Sequence, residues 1–199
     1  MRALILLLLL ALPLKAQDTA ALIAAARAQI GVTTIYDPAY VKLGFPGGDL
    51  PAERGVCTDV IIRAFRTGYG IDLQLAVNRD MKRAFSAYPA QWGLKTTDRN
   101  IDHRRVPNLQ TLFTRLGTDL PASPDPVDYR PGDLVTWMLP GNLPHIGIVS
   151  NTLASDIPLI LHNIGHGAQQ DDILFRFPIT GHYRLTDDTL ADLRQLGTD

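Results

Sequence analysis

The chain has a single cysteine, Cys57, so no disulfide can form within it. It has no surplus of either charge, with 19 Lys and Arg against 20 Asp and Glu and a formal net charge of −1. A chain so balanced carries no basic footprint for a nucleic acid or an anionic membrane surface, and both partner classes are set aside. Aromatic residues are sparse at 7%. No internal repeat is visible, and the one long apolar run is Ala3 to Leu14. That run falls short of the roughly 20 apolar residues that span a bilayer. With Arg2 before it and Lys15-Ala16 after it, it has the layout of a secretory signal peptide cut after Ala16. Residues 1–16 are therefore expected to be a signal. Residues 17–199 are expected to form a single periplasmic or secreted domain, monomeric and with no integral membrane segment. No cysteine lies near the cut to take a lipid.

A lone thiol in an oxidising compartment is either buried as a small hydrophobe or put to use. Its neighbourhood favours use. Asp18 can cap a helix running to about Val32. Pro38, Pro46, Gly47, Gly48 and Pro51 make residues 36–55 an ordered loop. Directly after it, Val60, Ile61, Ala64 and Phe65 recur at helical spacing, predicting a helix over 57–69. Further helices are predicted over 73–87 and 108–116. Past the prolines at 121, 124, 126 and 131 the texture becomes strand-like, with β runs predicted at 134–139, 145–150, 159–162 and 173–177. Helices first and antiparallel strands afterwards predict an α+β fold.

Cys57 thus opens a helix, where unpaired N–H groups and the helix dipole favour a thiolate and are expected to lower its pKa. The thiol needs a base, and the best candidate is His145, which opens a predicted strand. His162 and Asn163, on the next strand, are the candidates for orienting that imidazole. Asp59 lies two residues past the thiol and is expected to pair with Arg63, one helical turn on. Arg63, His103 and Arg104 offer groups suited to carboxylates, with Asp59 as a further candidate for substrate contact. His162 and His166 stand at i,i+4 in a Gly-containing segment with no carboxylate or Cys cluster, so no metal and no cofactor are expected.

The segments Gly55-Val56-Cys57-Thr58-Asp59-Val60, Arg130-Pro131-Gly132-Asp133-Leu134-Val135 and His145-Ile146-Gly147-Ile148-Val149 resemble, in order and spacing, the papain-like NlpC-type cysteine peptidases. Tyr36-Asp37-Pro38, Phe45-Pro46-Gly47-Gly48-Asp49, the stretch Asn100 to Leu109 and Gly181-His182-Tyr183-Arg184 resemble the YijF-like family, domain of unknown function 1287. The resemblance implies a papain-like NlpC fold, with N-terminal helices packed on a C-terminal antiparallel sheet. It also implies a site of Cys57, His145 and His162, with Tyr36 as a possible oxyanion donor. The implied substrates are the stem peptides of peptidoglycan. The alternatives are a peptidoglycan-binding or regulatory module and a thiol-dependent acyl transferase. The chain departs from better-known relatives in one respect: they carry Cys-Ser-Gly where this sequence has Cys57-Thr58-Asp59.

Overall fold

The computed structural model describes residues 19–198, so the expected signal peptide lies outside the described residues. Helix α1, Thr19–Arg27, buries Leu22, Ile23 and Ala26 and ends earlier than its alanine-rich sequence predicts; turns occupy Ala28 to Val32. Strands β1 (Ile35–Tyr36) and β2 (Arg54–Gly55) pair in parallel and close the proline- and glycine-rich loop at its two ends. Helix α2, Cys57–Tyr69, follows at once, and Gly70 stops it in the left-handed conformation (φ 68°) that glycine adopts without a Cβ penalty. Helix α3, Leu73–Arg83, begins where the Asp72 carboxylate accepts from the Gln74 N–H. Helix α4, Val106–Arg115, carries Pro107 in its first turn, where the missing N–H costs nothing.

The second half is a sheet. Strands β3 (Asp119–Leu120), β4 (Leu134–Leu139), β5 (Leu143–Ala154), β6 (Ile157–His162), β7 (Gln169–Asp171) and β8 (Ile179–Tyr183) are ordered β3-β8-β4-β5-β6-β7, every pair antiparallel. Helix α5, Asp187–Gly197, closes the described chain. The fold is α+β, with the sheet C-terminal.

Alternation along the strands sorts side chains onto two faces. Leu134, Ile146, Ile148 and Leu161 join the helices in the larger apolar core. Val135, Trp137, Val149 and Ile160 face the other way, under Tyr129, Ile173 and Leu174. This second core accounts for one misplaced strand. Residues 173–177 are apolar enough to predict a strand, yet they form a turn whose Ile173 and Leu174 are buried. The Leu174 carbonyl accepts from Trp137 Nε1 at 2.9 Å. Burial, rather than ladder pairing, makes that run apolar, and a short apolar run does not distinguish the two. The pairing strand is the polar β7 just before it. Strand β8 and helix α5 were not legible in the sequence pattern.

Candidate active site

The thiol is placed by a helix start. Asp59 Oδ2 accepts the Val56 N–H at 2.7 Å, half of a capping box; Val56 has no side-chain acceptor to complete it. Cys57 is therefore the first residue of α2, with its sulfur against β5, where the Ile146 backbone N–H donates to it. Burial pushes the thiol up to about 12, and the negative charge of Asp59 adds to this. The N–H groups of Ile146, Thr58 and Cys57 pull the other way and do not prevail. The expected lowering at a helix start is thus corrected. The dipole is present, but the group is only 5% exposed, and desolvation of the anion is the larger effect.

His145 is one residue before that N–H donor. Its Nε2 lies 2.9 Å from Nδ1 of His162. Nε2 of His162 lies in turn 3.1 Å from Oδ2 of Asp171 on β7. No hydrogen bond joins the His145 ring to the thiol among the described residues; the ring lies 5.9 Å from that of Trp137, and His145 is not among the residues that line the cleft beside Cys57. Burial, followed by the neighbouring His162, pushes His145 down to about 3. Burial also lowers His162, against the opposing pull of Asp171. The resting pair is therefore neutral thiol and neutral imidazole.

Gly147 makes the histidine contact possible. A Cβ there would lie 2.4 Å from Ile160 Cγ2 and 3.3 Å from His162 Cβ. Only a residue without a side chain lets β6 come close enough for His162 to lean on His145.

The remaining candidates are distributed as follows. Asn163 does not reach His145: its amide donates to the Gly55 carbonyl at 3.0 Å, and its oxygen accepts from Gly165. It fastens the end of β6 to the segment entering the thiol. Tyr36, opposite Gly55 in the β1–β2 pair, shares a cleft with Cys57. Burial first, then the nearby Cys57 and Asp59, raises its phenol above the ordinary value. The expected Asp59–Arg63 pair is not formed. Asp59 instead accepts from Arg104 Nε at 3.0 Å, with both side chains almost fully buried. The same guanidinium donates to the carbonyls of Asp37 and Ala39, clamping the loop beside Tyr36. Arg63 is drawn away by Asp49, by Thr33 Oγ1 and by the carbonyls of Leu50 and Arg54. His103 is buried, and burial, then the charges of Arg104 and Arg66, pushes it down to about 3. Of these four candidates for substrate contact, Arg104 alone lines the cleft.

The cleft encloses about 280 Å³ and is lined by Tyr36, Val56, Cys57, Trp92, Arg104 and Pro144, among others. Arg105 stacks over Trp92 at 4.1 Å and pairs with Asp102, forming a wall of the cleft. Among the described residues, no group of three or more His, Cys, Asp or Glu is arranged to hold a metal ion. No helix among them is long and apolar enough to cross a membrane. Sequence reasoning missed Asp171 and the part played by Gly147. The invariable alternation of a strand would have put Gly147 on the His145 face, whereas nothing in Gln169-Gln170-Asp171 signals a strand.

Residues 23–185 match the family described as Domain of unknown function (DUF1287), and the chain belongs to that family. It is 53% identical over 172 residues to the "Uncharacterized protein YijF" of Escherichia coli (strain K12), covering 86% of this chain and 83% of that protein. No solved structure matches the chain.

Proposed function

We propose that this chain is an exported thiol hydrolase of the papain-like NlpC type that cuts peptide or amide bonds in peptidoglycan stem peptides. The supporting observation is a cleft whose thiol opens a helix and lies against the strand that carries the His145–His162 pair. Substrate and export rest on the sequence resemblance and the N-terminal segment.

Because the resting groups are neutral, the chemistry is general-base catalysis rather than attack by a preformed ion pair. As sulfur bonds to the carbonyl carbon, His145 Nδ1 takes the thiol proton and the carbonyl π electrons move onto oxygen. In this reading the Cys57 N–H at the helix start stabilises that oxyanion, with the Tyr36 hydroxyl as a second donor. The imidazolium returns its proton to the leaving amine as the C–N bond breaks. A water deprotonated by His145 then releases the acid and the thiol. Arg104 holds the loop of Tyr36 in place rather than touching the reacting atoms.

The buried, protonated thiol favours a second reading, a binding or regulatory module that keeps the fold without the activity. Residues 17–199 incubated with soluble stem-peptide fragments and followed by mass spectrometry separate the two. Hydrolysis gives a fragment pair summing to the substrate plus one water, lost in Cys57→Ala. Transfer gives a product carrying an acceptor amine. No new mass, with Cys57→Ala still retaining the polymer, establishes the module and removes the hydrolase.

A further inference from the structure

The histidine pair is ambiguous as it stands. Each ring offers one nitrogen to a contact of 2.9 Å, and either ring can be the donor. If His162 donates from Nδ1, then His145 accepts at Nε2 and carries its own proton on Nδ1. In that state Nδ1 of His145 carries a proton and cannot act as a base. The opposite tautomer leaves Nδ1 bare.

Asp171 removes the ambiguity. Its Oδ2 lies 3.1 Å from Nε2 of His162, and an ionised carboxylate only accepts hydrogen bonds. His162 must then carry its proton on Nε2, which leaves Nδ1 with a lone pair. That lone pair accepts only if His145 holds its proton on Nε2, and Nδ1 of His145 is left free. The three groups sit on adjacent strands β5, β6 and β7 and step diagonally across the sheet to its edge. His145 and His162 are 2% and 0% exposed, so water does not compete for their ring nitrogens.

We propose that Asp171 is the positioning residue of the site: through His162 it fixes the tautomer in which His145 can accept the proton of Cys57. This rests on the hydrolase reading for its purpose but not for its test. Asp171 touches neither thiol nor cleft and acts only through His162. A hydrogen bond to a charged partner, set against one to a neutral partner, biases such a choice on the order of ten- to a hundredfold.

The test is NMR of protein carrying ¹⁵N-labelled histidine, which reports for each ring which nitrogen is protonated. In the unaltered protein at pH 7.5, both His145 and His162 are expected as the Nε2–H form. In Asp171→Ala, His162 is expected to populate the Nδ1–H form substantially, with His145 losing its single tautomer in step. Asp171→Glu is expected to restore the original pattern, since it returns an acceptor to the same edge. Melting temperatures measured alongside separate this from unfolding, and the 40% exposed Asp171 side chain makes a folded variant the expectation. Should Asp171→Ala leave both tautomers unchanged, or should the unaltered protein show His145 protonated on Nδ1, Asp171 does not position the base. Cleavage of stem peptides is scored separately. The expected tautomers without any hydrolysis would remove the hydrolase and leave the proton arrangement standing. Hydrolysis that persists in Asp171→Ala with unchanged tautomers would do the reverse.

Discussion

Cys57 and Asp59 show how two local rules give way to tertiary context. A helix N-terminus argues for an acidic thiol, and an i,i+4 spacing argues for an Asp59–Arg63 pair; neither outcome occurs. The first fails because burial costs a thiolate more than the helix end returns. The second fails because Arg104, 45 residues away, meets Asp59 in a site closed to water. The two differ in how visible their causes were. The helix start was plain from the apolar spacing of Val60, Ile61, Ala64 and Phe65, whereas nothing local announced either the burial or the distant arginine. The pair sets an expectation for mutants. Arg104→Ala strands the Asp59 carboxylate at 3% exposure and is expected to cost about 3–5 kcal/mol, read from denaturant midpoints. Arg63→Ala, whose carboxylate partner Asp49 is partly solvated, is expected to cost less. Equal losses would mean that the Asp59 site is wetter than its burial suggests.

Among the elements, the strands divide into those the pattern revealed and those it did not. Strands β4, β5 and β6 alternate or run apolar and were readable, together with the histidines they carry. Strand β7 is Gln-Gln-Asp, with no apolar residue to mark a face, so Asp171 was invisible until pairing with β6 placed it. The seam between β5 and β6 carries its own prediction. Gly147→Ala sets a methyl 2.4 Å from Ile160 Cγ2, so the strands must part. The expected cost is about 1–3 kcal/mol. The His145–His162 contact should loosen with it, and under the proposed hydrolase function stem-peptide cleavage should fall more steeply than the melting temperature. At the other end of the sheet, Asp133 joins β4 to β8 by accepting from His182 at 2.7 Å and Arg184 at 2.6 Å. Burial alone would raise Asp133, but these two donors more than reverse it and hold the carboxyl below its ordinary value. The Pro-Gly-Asp and Gly-His-Tyr-Arg segments, both legible as motifs, are therefore one structural joint. A depressed carboxylate stabilises above its unfolded pKa, near 3.8, and that contribution disappears as pH falls through its folded value.

Over the whole molecule, buried histidines set the response to acid. His103 and His145 are each held near 3, and His162 is lowered as well, chiefly by desolvation. Unfolded, each binds a proton near pH 6.5; folded, His103 and His145 do so only well below that, and His162 below it. Stability from His103 and His145 is therefore full above about pH 6.5 and falls as pH drops towards 3, by about 1.4 kcal/mol per pH unit for each of the two, with His162 adding in the same direction. Urea midpoints measured between pH 7.5 and 4.5 are expected to show this slope, and His103→Gln to reduce it by one proton. A flat profile across that window would show that the rings are hydrated. The raised thiol has a consequence of another kind. Peroxide and disulfide reagents are attacked by thiolates, and a sulfur held protonated with only 5% of its surface open reaches them slowly. The sole cysteine of the chain is thus protected without a bonding partner. Protein stored in air is expected to keep a full equivalent of titratable thiol and to run as a single band on a non-reducing gel, where an exposed lone cysteine would cross-link two chains.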